Sequence, residues 1–151
     1  MPKTISYYKE KYLSYIIAGI VTFCCFKFLK LYEFAASQIV FDKTVDFSGI
    51  IFGFLITVLT ILIQTDNPAI AKLKAGNRFK DLISFNKRVI FISALLCFFS
   101  VLILIYMEYD LYKCSNQVKQ YCMTVYIFLF VTLIHTTYEF LKIFYEIIRN
   151  D

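Results

Sequence analysis

Polar side chains recur at helical spacing in the last apolar segment of the chain, TVYIFLFVTLIHTTYEFLKIFYEIIRND. Six residues form this polar stripe: Thr132, His135, Thr136, Glu139, Lys142 and Glu146. His135 and Glu139 are four residues apart, so one helical turn would let them share a proton or a hydrogen bond. Two interpretations stay open. One is an oligomeric pore lining or a protonation-sensitive switch; the other is a histidine satisfied by packing, followed by a solvated helix end.

Basic side chains are concentrated in segment 66–88, DNPAIAKLKAGNRFKDLISFNKR, which we name the elbow. Its basic residues are Lys72, Lys74, Arg78, Lys80, Lys87 and Arg88. They alternate with apolar residues, as in an amphipathic helix lying on a membrane surface. Asn67 and Pro68 predict a helix start, and Gly76 predicts a stop. The elbow is therefore either a connection held against the membrane or a docking site for a cytosolic protein or a phosphate-bearing ligand.

Two cysteines, Cys114 and Cys122, lie in or beside the segment YDLYKCSNQVKQYC. They form a disulfide if this segment faces an oxidising compartment, and the alternative is two separate thiols. The other three, Cys24, Cys25 and Cys97, lie inside apolar segments, where we expect them to fill space between helices.

No pattern for catalysis is present in the chain. It lacks a Gly-rich phosphate loop, a His-Glu-x-x-His pair and a nucleophile elbow. It also has no Cys-x-x-Cys pair, and its single histidine cannot supply the usual zinc ligands. We therefore predict that the protein is not an enzyme, with no catalytic residue, no metal site and no cofactor.

Long uncharged windows are the main indication of fold. Hydrophobic residues make up 60% of the chain and the mean hydropathy is +0.66. Three windows of 19 residues without Asp, Glu, Lys or Arg lie at 47–65, 89–107 and 120–138. As helices they would be roughly 28 Å long, close to the ~30 Å hydrocarbon core of a bilayer. The alternative is a soluble bundle with long buried helices, although such helices seldom lack a charged face.

A shorter window of 15 uncharged residues begins at Tyr12. Lys27 and Lys30 can extend their ammonium groups toward lipid headgroups, which lengthens this helix to about Leu31. A signal peptide is the alternative, but no small-x-small cleavage site follows in LYEFAASQ, where Phe34 stands instead of a small residue. We expect a retained membrane anchor.

These windows predict one all-α domain over 1–151, an integral-membrane bundle of four transmembrane helices. The predicted helices cover about 12–31, 47–65, 89–107 and 121–148, with an outer connection near 36–46. Four spans place both termini on one side of the membrane.

The basic residues predict the orientation of the bundle. Eleven of them lie in the N-terminal segment, the elbow and the C-terminal tail, whereas five lie on the opposite side. The positive-inside rule therefore places both termini and the elbow in the cytoplasm. The same rule accounts for most of the net charge of +5, so no direct nucleic-acid partner is expected.

Small residues recur every fourth position in the second predicted helix, at Gly49, Gly53 and Thr57. Helices in lipid associate by close packing, and small residues mark the contact faces. This small-residue stripe predicts either self-association of the chain or packing against another of its own helices, and both remain open.

The stretch from Ser48 to Lys87, SGIIFGFLITVLTILIQTDNPAIAKLKAGNRFKDLISFNK, resembles a pattern in small four-helix bacterial membrane proteins. In these, a Gly-Phe-Leu-x-Thr helix precedes a Leu-Lys-rich elbow with Phe-Lys-Asp-Leu. Such proteins are similar to the membrane subunits of anti-phage defence operons, including the Kiwa type and four-helix effectors of cyclic-nucleotide systems. The resemblance covers a quarter of the chain. It implies an inner-membrane homo-oligomer that works with a cytosolic protein from the same operon.

Three functional hypotheses follow. The first is an oligomeric inner-membrane component of a defence system, coupled to a cytosolic partner through the elbow and the C-terminal tail. The second is a pore-forming effector that depolarises the cell, with the polar stripe lining the pore. The third is a bacteriocin-immunity or assembly protein that acts through protein contacts alone.

Overall fold

The structure is a computed structural model that describes residues 5–28, 38–64, 74, 79–108 and 116–149. The described residues are all helical and form four long helices. These are α1 (Ile5–Phe28), α2 (Gln38–Gln64), α3 (Phe79–Glu108) and α4 (Asn116–Arg149). The predicted all-α class is confirmed for this part of the chain.

Helix α2 buries one face with a seven-residue repeat, at Phe41, Ser48, Leu55 and Leu62. Thr44 is buried on the same face, three residues after Phe41. A repeat of three and four residues keeps one side of a helix facing a neighbouring helix. The neighbour of α2 is α3.

Helix α3 continues the same repeat with small polar residues at every seventh position. Asn86, Ser93 and Ser100 are all fully buried, and Val89 and Leu96 alternate with them. The Ser93 and Ser100 hydroxyls donate to carbonyls of their own helix, at 2.9 and 2.8 Å. Small side chains that satisfy themselves in this way let two helix backbones approach closely.

The helices pack in the order α2, α3, α4, α1, each against the next. Aromatic rings also join α2 to α4 across the bundle. The rings of Phe41 and Tyr126 meet edge to face at 5.0 Å, and those of Phe47 and Phe130 lie 6.0 Å apart. Helix α1 therefore joins the bundle mainly through α4.

One predicted boundary is wrong by about nine residues, because the connection expected near 36–46 is helical from Gln38 onward. Helix α3 begins at Phe79, so its first turns come from the elbow and lead into the predicted span at 89–107. The count of charges did not reveal the first turns of α2, since their charged residues lie on the exposed side. Lys43 and Asp46, for example, pair with each other at 3.4 Å while Phe41 and Thr44 are buried.

The other boundaries differ less. Helix α4 begins at Asn116, five residues before the predicted start, and α1 begins at Ile5. The predicted end of the first helix near residue 31 lies outside the described residues.

Three of the described helices are long and apolar enough to cross a membrane: Ile39–Gln64, Phe79–Tyr106 and Asn116–Tyr145. The apolar part of α1, Tyr12–Phe28, is shorter. Many large apolar side chains point outward, with Ile50 72% and Phe91 67% exposed. An apolar surface of this extent is typical of a protein that contacts lipid or other proteins.

Candidate functional site

Three residues of the polar stripe of α4 face the interior of the bundle. Thr132, Thr136 and Glu139 are buried, and His135 is half-buried. The Thr132 hydroxyl donates to the carbonyl of Phe128 at 2.6 Å, and the Thr136 hydroxyl donates to that of Thr132 at 2.7 Å. Both threonine hydroxyls therefore have hydrogen-bond partners within α4. The two residues act as small side chains where α4 contacts other helices.

His135 makes its hydrogen bond across a helix interface. Its Nδ1 lies 2.8 Å from Oγ of Ser14, a fully buried residue of α1. Which atom donates depends on the tautomer of the imidazole ring. The sequence suggested Glu139 as the partner of His135, whereas the structure places Ser14 there.

Glu139 is the most unusual group of the stripe because its carboxylate is buried. The residue is only 5% exposed, and Oε2 has no hydrogen-bond partner among the described residues. The nearest cation is Lys142, whose Nζ lies 3.9 Å away on a side chain that is 45% exposed. That distance is too long for a hydrogen bond, so Oε2 has a nearby positive charge without a hydrogen bond among the described residues. The side chain of Glu146, the last member of the predicted stripe, lies outside the described residues.

The small-residue stripe of α2 faces away from the bundle. Gly49, Gly53 and Thr57 are exposed, and no described atom lies within 4 Å of a Cβ built on either glycine. The Thr57 hydroxyl donates to the carbonyl of Gly53 at 2.9 Å. At 100° per residue, this stripe lies opposite the face that carries Ser48 and Leu55. None of the described helices packs on it.

Polar residues continue the stripe toward both ends of α2. Asp42 and Asp46 are exposed on the same side before Gly49, and Thr60 and Gln64 are exposed after Thr57. The outer side of α2 thus carries a continuous band of small and polar residues over its whole length.

The elbow residues have different roles in the structure. Lys74 donates from Nζ to the carbonyl of Ile63 at 3.0 Å, which satisfies the C-terminal end of α2. Arg88 lies over the ring of Phe85, with its guanidinium carbon 5.1 Å from the ring centre. Lys80 and Lys87 are exposed on the first turns of α3. Lys72 and Arg78 lie outside the described residues.

The cysteine pair stays a prediction. Cys122 is an exposed free thiol near the start of α4, and Cys114 lies outside the described residues. Among the residues that the structure describes, no group of three His, Cys, Asp or Glu side chains could hold a metal ion.

Several buried polar residues were missed in the sequence, and Asn86 and Tyr126 are two of them. Asn86 is fully buried and donates from Nδ2 to the carbonyl of Leu55 at 3.2 Å, which joins α3 to α2. The Tyr126 hydroxyl faces the hydroxyls of Thr44 and Ser100. It forms no hydrogen bond of ordinary geometry with the residues that the structure describes. The seven-residue spacing of Asn86, Ser93 and Ser100 is the signal that would have revealed this polar interior.

The fold and these sites define an all-helical protein with three helices of membrane-spanning length. Comparison with known proteins found no matching family, no matching curated protein and no matching solved structure.

Proposed function

We propose that this protein is an oligomeric component of the bacterial inner membrane, with both termini and the elbow in the cytoplasm. It works in an anti-phage defence system and couples the membrane to a cytosolic partner from the same operon. The observation that carries the oligomer is the outward-facing stripe of Gly49, Gly53 and Thr57 on a helix long enough to cross a membrane.

The stripe supports self-association because of where it lies. In a bilayer, a surface that contacts only lipid is expected to carry large apolar side chains, as α3 does at Phe91 and Phe98. Small residues instead favour a helix partner that approaches closely. A second copy of the chain offers the same stripe, and a two-fold arrangement would place Gly53 against Gly53.

The cytosolic coupling is supported by exposed charge at one end of the bundle. Lys80 and Lys87 are exposed at the start of α3, on the side that the positive-inside rule assigns to the cytoplasm. The assignment to anti-phage defence is supported only by the resemblance of residues 48–87 to membrane subunits of defence operons.

The oligomer is tested by measuring the mass of the protein in mild detergent. We expect an oligomer for the unchanged chain and a monomer for Gly53→Leu, because a leucine would separate the helix backbones. Ala94→Leu, a similar enlargement at an exposed position of α3, serves as the matched control and should leave the mass unchanged. A monomer for the unchanged chain would refute the proposal and favour a protein acting through other contacts, such as an immunity protein.

The place in defence is tested by phage challenge of cells that carry the complete operon. We expect protection with the unchanged chain and loss of protection with Gly53→Leu, at equal amounts of protein in the membrane fraction. Protection that persists without this gene would contradict the defence role.

The position of the polar stripe does not favour the hypothesis of a pore-forming effector. Thr132, Thr136 and Glu139 are buried within the chain, which disfavours these three residues as the lining of a channel between copies. Overexpression of the protein alone should therefore leave the membrane potential unchanged. Depolarisation that is relieved by His135→Ala would instead support the pore hypothesis.

A further inference from the structure

A groove of about 490 Å³ opens between α1 and α4, near the end of α1. Its walls are almost entirely apolar, and they include Phe23 and Phe26 from α1 and Tyr121 and Phe128 from α4. The proposed membrane location, on which this inference rests, places that end of the bundle at the outer interface.

A glycine of α1 leaves room for this groove. Gly19 lies on its wall, and no described atom is found within 4 Å of a Cβ built there. The two helices are held together on either side of this opening. Ser14 bonds to His135 on one side, and the rings of Phe26 and Tyr121 stack at 6.1 Å on the other. Gly19 is therefore not needed for contact between α1 and α4, and the space beside it is available to a ligand.

A positive charge lies beside one of the rings that line the groove. Nζ of Lys27 lies 5.7 Å from the centre of the Phe23 ring, which itself lines the groove. Such an ammonium group is attracted to the ring face and remains accessible to an anion. Lys27 is exposed, so its charge is not neutralised by burial against another helix.

We infer that this groove binds an acyl chain of an anionic phospholipid from the surrounding membrane, with the lipid phosphate beside Lys27. The size of the groove supports a lipid over a helix. Sites for small molecules measure roughly 300–1,000 Å³, whereas a spanning helix about 30 Å long and 10 Å wide occupies several times the volume found here. The combination of an apolar wall and one cation beside it matches the two parts of an anionic lipid.

The test uses native mass spectrometry of the full chain purified from membranes in mild detergent. Dioleoylphosphatidylglycerol is added in one titration and dioleoylphosphatidylcholine in another. We expect one retained lipid per chain, with the glycerol lipid preferred. Lys27→Gln should reduce that preference roughly fivefold, because one basic group near a lipid surface contributes about that factor.

Two further variants test whether the retained lipid lies in this groove. Gly19→Phe should abolish retention because the ring would occupy the groove, whereas Ala94→Leu should retain lipid like the unchanged chain. Equal retention by Gly19→Phe would overturn the inference. So would a change of oligomer mass in Gly19→Phe, since it would show that a second copy occupies the groove. A chain that is absent from the membrane fraction would refute the membrane location itself, whereas a membrane-bound chain without retained lipid would refute only the groove.

Discussion

Ser14 and His135 share a hydrogen bond of 2.8 Å although 121 residues separate them in the chain. This contact joins the first helix to the last. It adds to the packing of α1 against α4, which is the main contact of α1 with the bundle. It also gives the single histidine of the chain a structural partner, which favours the interpretation of His135 as a group satisfied by packing.

Ser14→Ala is expected to destabilise the protein by about 0.6 kcal/mol, the average for hydrogen bonds between helices in lipid, and by no more than about 1.7 kcal/mol. The change removes the hydroxyl that lies 2.8 Å from Nδ1 of His135. Thermal unfolding in detergent measures it. Ser93→Ala is the control, since the Ser93 hydroxyl bonds to its own helix and its loss should have a smaller effect. Equal effects of the two changes would show that the Ser14–His135 bond contributes little.

Glu139→Gln is expected to leave stability unchanged or to raise it by about 1 kcal/mol, because Oε2 of this buried carboxylate has no hydrogen-bond partner among the described residues, which is costly for a charged group. The change removes the weak pairing with Lys142, whose exposure already limits the value of that pair. Chemical unfolding in detergent measures the difference, and Lys142→Gln is the control. Marked destabilisation by Glu139→Gln would mean that the carboxylate has a partner essential to the fold. A stable Glu139→Gln variant that loses phage protection would assign Glu139 to function.

Reporter fusions are expected to show the elbow in the cytoplasm and the α3–α4 connection outside. Alkaline phosphatase, which is active only outside the cytoplasm, should be inactive when fused after Gly76 and active when fused after Lys113. The physical reason is the excess of basic residues on the elbow side. The opposite pattern of activities would invert the orientation and move Lys80 and Lys87 away from any cytosolic partner.

Reversal of charge at Lys80 and Lys87 together is expected to abolish co-purification of the proposed cytosolic partner, because both side chains are exposed and available for contact. Pull-down from cells that express the whole operon measures the loss. Lys43→Glu is a matched control, since Lys43 is also exposed but lies near the start of α2, away from the elbow. Undiminished pull-down by the double variant would count against the elbow as the docking site.

The sequence was sufficient to predict the helices, but it did not predict which helices pack against each other. Uncharged windows locate the apolar middle of a helix, and they located α2 and α3 correctly there. They fail at helix ends, where Asp42 and Lys43 lie on the exposed side while Phe41 is buried. Helical periodicity in the first turns of α2 would have extended the prediction to Gln38.

Contacts between distant helices could not be predicted from spacing within one helix. The stripe on α4 suggested that His135 and Glu139 act together, since spacing shows only neighbours on the same helix. The actual partner, Ser14, depends on the packing of α1 against α4, which is a property of the tertiary fold. The outward position of Gly53 likewise depends on which side of α2 meets α3.

Three of the four glycines, Gly19, Gly49 and Gly53, lie within helices at positions where the described protomer leaves space for a side chain. Glycine inside a helix is less favourable than alanine by about 1 kcal/mol per residue. Alanine at all three positions should therefore make the separated protomer more heat-resistant. The most stable single chain and the most effective assembled protein would then have different sequences, and Gly49 and Gly53 mark where the two requirements conflict.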